Sequence, residues 1–188
     1  RGSDHSIAND SAAKRKPLLF VIGSRSQVSR QQLRCLSDES GMHPFTLPPA
    51  TLRGGPDSIA WREAARRLDE ALLGGSDDVA LALGLDGEID PRESAALSRT
   101  LGQFLLPSAG RVGGLFCTGG ETACALLAAA GATGIRLAGE VEPGVPFRTV
   151  EGWRKRPIVT KAGAFGSPQT LVRCRAALQR LPVPPAPV

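Results

Sequence analysis

The sequence has no tyrosine, and aromatic residues make up only 4% of its 188 positions. Single-stranded nucleic-acid binders stack bases on aromatic side chains beside a basic groove. The basic clusters here, Lys14 to Lys16 and Arg154 to Arg156, have no interleaved aromatics, so no nucleic-acid partner is expected despite a net charge of +5. Histidine is nearly absent as well: His5 and His43 are the only two. The four cysteines, Cys35, Cys117, Cys124 and Cys174, form no C-x-x-C pair. Without such spacings a protein-held metal is not expected, and the cysteines read as buried free thiols of a reducing compartment. No apolar run approaches the roughly 18 residues needed to span a bilayer, and the first residues lack the order of a signal peptide. A cytoplasmic protein without membrane contact is expected. Two nucleotide motifs are also missing, the G-x-G-x-x-G of dinucleotide folds and the G-x-x-x-x-G-K-S/T of P-loop enzymes.

What the chain does contain is an aliphatic core, with 41% hydrophobic residues, and a repeating grammar. Leu18 to Ile22 and Val79 to Leu83 are short, fully apolar runs of the kind found in strands covered on both faces. Val112 to Cys117 and Pro157 to Thr160 read as further strands, Ile135 to Gly139 as another, and His43 to Leu47 as an outer one. Between them lie helical patterns. One runs from about Gln27 to Glu39 and is closed by Gly41. A second is capped by Asp57 or Ser58, presents Trp61, Ala64, Ala65, Leu68, Ala71 and Leu72 at helical spacing, and stops at Gly74-Gly75. A third starts at Asp90-Pro91-Arg92-Glu93, with a cap and with Glu93 three residues beyond it, and continues to about Leu106. A fourth spans Ala123 to Ala130, and the last begins at Ser167-Pro168 and ends near Leu181. Strands alternating with helices predict a doubly wound, mostly parallel sheet with helices on both faces, a three-layer α/β/α fold. Residues 17–181 form the predicted domain. Residues 1–16 read as a disordered tail, a linker or a remnant of cloning, and 182–188 as an extended proline-rich tail.

In such sheets ligands bind beyond the carboxyl ends of the strands. Three turns rich in Gly, Ser and Thr occupy that kind of position, at Gly23, Gly119 and Gly163. Phosphate needs convergent backbone N–H groups, glycines that let the backbone approach, and a helix N-terminus. Thr118-Gly119-Gly120-Glu121-Thr122 offers all three. Thr118 and Thr122 add hydroxyls, and Glu121 could meet a ribose or a magnesium-held water. The other reading of this segment is a well-capped helix and nothing more. Ser24 and Ser26 are donors to phosphate or base, or helix caps. Lys161 could meet a phosphate as a point charge, or be a surface lysine near a sheet edge. Phe165 reads as core or as a neighbour of adenine.

Taken together, Gly23-Ser24-Arg25-Ser26, Thr118 to Thr122, Gly139-Glu140 followed by Pro143-Gly144-Val145-Pro146, and Lys161-Ala162-Gly163-Ala164-Phe165-Gly166 occur in an order that resembles four-carbon acid sugar kinases. The likeness spans about 17–181 and matches the C-terminal nucleotide-binding domain of that family. It implies ATP-dependent phosphorylation of the terminal hydroxyl of a threonate- or erythronate-like acid. ATP, with Mg2+, would be contacted at Ser24, at Gly119 to Thr122 and at Gly163. Ala164 departs from the family pattern, which more often has Gly or Asn there. The family's N-terminal half, which supplies the sugar-binding residues, lies outside these 188 residues, so the fragment alone should be inactive and its catalytic residues lie elsewhere. Homo-oligomerisation is compatible with this reading. The rivals are a non-catalytic nucleotide-sensing module and an NAD-binding oxidoreductase domain.

Overall fold

The computed structural model describes residues 15–74, 77–84, 90–153 and 156–181. Residues 1–14 of the predicted tail 1–16, the tail 182–188, Gly75, and the basic pair Arg154-Lys155 lie outside the described residues.

Among the described residues seven strands form one sheet in the order β2-β3-β1-β4-β7-β6-β5. They are β1 (Leu18–Ile22), β2 (Phe45–Leu47), β3 (Val79–Leu83), β4 (Gly114–Thr118), β5 (Gly134–Glu142), β6 (Val145–Glu151) and β7 (Pro157–Lys161). The first four and β7 run parallel, and β6 pairs antiparallel with both β5 and β7. Among the described residues six helices accompany them: α1 (Gln27–Ser40), α2 (Pro49–Gly54), α3 (Ile59–Leu73), α4 (Pro91–Leu105), α5 (Gly120–Ala129) and α6 (Thr170–Arg180). A 3-10 turn over Leu106–Arg111 follows α4.

Strand periodicity divides the core into two layers. Leu19, Val21, Leu81 and Leu115 point toward α2 to α5 and join Trp61, Leu68, Leu101 and Phe104. Leu18, Phe20, Phe116 and Val159 point to the other face and meet Leu36, Leu171, Cys174 and Leu178 of α1 and α6. Each fully buried Leu or Phe contributes about 1.5–3 kcal/mol relative to exposure. Trp61 is core, edge-on to Phe104 with ring centroids 5.0 Å apart. The predicted three-layer, doubly wound architecture is therefore the observed one.

Local chemistry explains where the helices begin and end. Ser26 and Ser58 cap α1 and α3 by accepting the N–H groups of Ser29 and Trp61. Gly41 closes α1 in the left-handed region at φ 69°, where a side chain would be strained. Asp90 caps α4 through the Arg92 N–H, but Glu93 does not complete a reciprocal box, because its carboxylate binds Arg53 of α2.

Several boundaries differ from the sequence-based reading. The segment 145–151, to which the sequence pattern assigns no element, is a strand paired with β5 through the turn at Gly144. Helix α2 was hidden by Pro48-Pro49, yet Pro at the first turn suits a helix start. The fourth helix begins at Gly120 rather than Ala123, because Gly119 at φ 98° reverses the chain within one residue. The last begins at Thr170, after a turn in which the Thr170 N–H donates to the Ser167 carbonyl at 3.1 Å. Of the cysteines, Cys117 and Cys174 are buried and Cys35 is partly so, but Cys124 is exposed.

Candidate functional site

The strand order reverses at β1, whose connection to β2 leads one way while β4 and β7 lie on the other side. At such a switch point the loops leaving neighbouring strands part and open a crevice. The β1 and β4 turns meet here, and β7 brings the third beside them. The Gly23 N–H donates to the Thr118 carbonyl at 3.2 Å, and the Gly119 N–H donates to the Lys161 carbonyl at 3.1 Å.

Glycine is required at these contacts. A Cβ on Gly23 would lie 2.1 Å from Thr122 Oγ1, and one on Gly163 would lie 2.3 Å from Ser24 Oγ. Gly120 differs: a Cβ there would meet nothing within 4 Å. The space beside it is a cavity of about 450 Å³, lined by the turns at Gly23-Ser24-Arg25, Gly119 to Thr122 and Gly163 and, opposite, by Leu83 and the α4 residues Ser94, Leu97, Ser98 and Leu101. The first N–H groups of α5 have no intrahelical acceptor, and its cap, Gly119, has no side chain to supply one. An anion at this helix start would be favoured by those amides and by the helix dipole.

The predicted site residues divide into two groups. Ser24, Gly119, Gly120, Glu121, Thr122 and Gly163 line the cavity. Glu121 accepts a hydrogen bond from Ser94 Oγ at 2.7 Å and so joins the start of α5 to the first turn of α4. Thr118, Ser26 and Lys161 support the turns from beneath. Thr118 is buried, with its Oγ1 3.5 Å from Ser29 Oγ. Ser26 is the α1 cap, and its hydroxyl and that of Ser29 lie 2.9 and 2.7 Å from the Gly163 carbonyl.

Lys161 is not the surface lysine of the alternative reading, and its ammonium is engaged by its own turn. The lysine is 3% exposed, and its ammonium donates to the carbonyls of Ala162, Gly163 and Phe165 at 2.7, 3.0 and 2.9 Å. An ammonium has three protons, so these bonds saturate it. Desolvation pushes its pKa below the usual lysine range, with Cys174 and Glu142 acting in the opposite direction. Phe165 is neither core nor cavity lining: its ring is partly exposed and lies 2.9 Å from where a Gly144 Cβ would be.

Arg25 and the α4 wall were not among the expected site residues. Their signal was present in the sequence. A helix that follows β3 starts at the same end of the sheet as the glycine turns, and Ser94, Leu97, Ser98 and Leu101 share one face of it at i, i+3, i+4 and i+7 spacing.

Glycine turns around a cavity at the switch point of a doubly wound sheet define a nucleotide-binding type of α/β domain. Residues 19–171 match the family model described as a nucleotide-binding C-terminal domain. The chain belongs to this family, the C-terminal domain of four-carbon acid sugar kinases. It is 39% identical over 173 residues to a D-threonate kinase of Cupriavidus necator, a match covering 90% of this chain and 41% of that protein. A D-erythronate kinase of Heliobacterium modesticaldum is 27% identical, covering 85% of this chain and 41% of the relative. A crystal structure of a Bordetella bronchiseptica protein, described as a domain of unknown function with bound citrate and as a domain-swapped dimer, superposes with a TM-score of 0.73 at 31% identity, over 87% of this chain and 41% of that one. The chain thus spans about two-fifths of the length of the curated relatives it matches.

Proposed function

We propose that this chain is the ATP-binding domain of a kinase that phosphorylates the terminal hydroxyl of a four-carbon sugar acid. The observation that carries the reading is the open space at Gly120 beside an uncapped helix start, inside a cavity formed by three glycine turns. Phosphoryl transfer requires positioning and charge stabilisation more than covalent help from the protein. In this reading the phosphates lie on the amides of Gly119 to Thr122, and Ser24 and Gly163 bound the other side. The apolar α4 wall of Leu97 and Leu101 suits the base. Mg2+ arrives with the phosphates, and Glu121 is a carboxylate that lines the cavity. Lys161, Thr118 and Ser26 act by holding the turns in shape.

The sugar-acid site and the catalytic base belong, in this proposal, to the part of the relatives that the chain does not span. This domain alone is not expected to turn over. We also infer a cytoplasmic protein that self-associates; the Bordetella bronchiseptica protein described as a domain-swapped dimer supports the second point.

Calorimetry with ATP, ADP and NAD tests the reading. ATP and ADP should bind and NAD should not. Gly120→Asp places a carboxylate where phosphate belongs and should weaken ATP at least about 100-fold, roughly 2.7 kcal/mol. Stability should stay within about 0.5 kcal/mol, as at other sites free of packing. Unchanged ATP affinity in the folded variant overturns the site. Selective binding of NAD would favour an oxidoreductase domain, and nucleotide binding without phosphoryl transfer in the whole protein would favour a sensing module.

A further inference from the structure

The Gly119-Gly120 turn has a second hollow on its far side, about 330 Å³, between α5, the β5–β6 hairpin and β7. Two cations line it, Arg148 and Lys161. Lys161 is saturated by carbonyls of its own turn. Arg148 is placed differently. It stands opposite Ile158 in the β6–β7 ladder, on the face covered by α5, since Ile158 belongs to that core layer. From there its side chain runs along β7, and Nη1 donates to Thr160 Oγ1 at 3.3 Å. Thr160 is the neighbour of Cys117 in β4, one step before Thr118 leads into the glycine turn. The guanidinium therefore reaches the carboxyl end of the sheet. The Thr160 bond engages one of its five N–H donors, and among the described residues no carboxylate forms an ion pair with it.

We propose that Arg148 recognises the terminal phosphate of the nucleotide and makes the domain prefer ATP to ADP. The inference rests on the nucleotide reading above and deepens it. With the inner phosphates on the Gly119-Gly120 amides, the terminal one passes over the glycines into the second hollow. There a guanidinium fork, steadied by Thr160, can take two of its oxygens. Neither glycine has a side chain to separate the two hollows, and the open space at Gly120 joins them.

Calorimetry on this chain with ATP and ADP tests the inference. The wild type should bind ATP tighter than ADP on the order of tenfold. Arg148→Gln should bring the two within about twofold while leaving ADP within about twofold of wild type; Arg148→Lys, which keeps the charge but loses the fork, should fall between. An independent reading in the wild type uses the exposed Cys124, which lines the same hollow. ATP should slow its alkylation more than ADP does, with Cys35 as the internal control, and this decides the matter if Arg148→Gln fails to fold. The inference fails if Arg148→Gln keeps the tenfold preference, if both nucleotides weaken alike, or if ATP and ADP protect Cys124 equally. It also fails if a four-carbon acid without nucleotide protects Cys124 in the wild type but not in Arg148→Gln, which would assign the guanidinium to a carboxylate. ADP binding without ATP preference sinks the inference and leaves the nucleotide reading standing. Binding of neither ATP nor ADP sinks both.

Discussion

The two ends of the sheet bury polar groups to opposite purpose. At the amino end, Asp78 precedes β3 with its carboxylate fully enclosed. It accepts from the Leu18 N–H at 2.9 Å, from Arg15 at 2.8 Å, and from Arg175 and Gln179 of α6 at 2.7 and 3.1 Å. Every partner belongs to the protein, and the chain entering β1 is tied to its last helix. At the carboxyl end, glycines and hydroxyls hold three turns together yet leave the α5 start facing open space. A buried polar group whose partners are all internal contributes to the fold. One arranged around a gap is left to be completed by a ligand.

The largest break in this comparison should come at the amino end. Asp78→Ala leaves the Leu18 N–H without its acceptor and removes the anion shared by two arginines. Loss of one partner of a buried ion pair costs about 3–5 kcal/mol. Because Arg15 and Arg175 are partly exposed and can be rehydrated, we expect about 3 kcal/mol, read from urea unfolding. ATP affinity of the folded fraction should be unchanged. A matching loss of ATP affinity would mean that the two ends are coupled through the sheet.

Gly23→Ala strikes the other end. Its Cβ would press on Thr122 Oγ1 and Cβ, at 2.1 and 2.9 Å, and overpacking of this kind costs about 1–3 kcal/mol. Here stability and ATP affinity should fall together, because Thr122 is in the first turn of α5. Adding Thr122→Ala removes the atoms at 2.1 and 3.0 Å and should restore part of both. Failure of the second change to restore anything would show that the strain lies in the backbone of the turn.

How far the sequence reveals this division depends on range. The apolar runs at Leu18 to Ile22 and Val79 to Leu83, and the caps at Ser58 and Asp90, are local signals and mark real elements. The glycine turns are legible for the same reason. Strand β6 is not, since its character comes from pairing with β5 and β7 rather than from its own pattern. The fate of Lys161 was equally out of reach, because saturation depends on a turn that curls three carbonyls around one ammonium. Asp78 carries no motif at all. Its partners lie 60 to 101 residues away in the chain, except that Arg15 and Leu18 are themselves brought together by the start of β1.

Lys161 is where the comparison is sharpest, because it belongs to the open end but is satisfied internally, as Asp78 is. Lys161→Met should leave the carbonyls of Ala162, Gly163 and Phe165 without a common donor. We expect a loss of about 1–2 kcal/mol, the scale of an unmet buried hydrogen-bonding group. ATP affinity should drop only a few-fold, through loosening of the Gly163 turn. A loss beyond about 100-fold at unchanged stability would return Lys161 to direct phosphate contact.

The smallest effect is one of pH, and it arises on α6, which serves both ends: Thr170 and Arg173 bind Glu142 near the site, and Arg175 and Gln179 bind Asp78. Between them lies Cys174. Burial pushes its thiol up from 9.0 to about 12. The unfolded chain therefore ionises this thiol first, so the stability linked to it is complete below pH 9 and drains away as pH rises toward 12. Cys117 is displaced in the same direction by burial. Lys161, shifted downward, acts oppositely: stability linked to it rises as pH climbs through its folded value toward 10.5. Between pH 8 and 9.5, Cys174 alone should cost about 0.8 kcal/mol. Urea unfolding at the two pH values should show Cys174→Ala losing that much less than wild type. Asp78→Ala should lose as much as wild type over the same interval, because burial, Glu142, Lys161 and Arg173 act on the Cys174 thiol and Asp78 does not. An equal loss in Cys174→Ala and wild type would place the alkaline sensitivity outside α6.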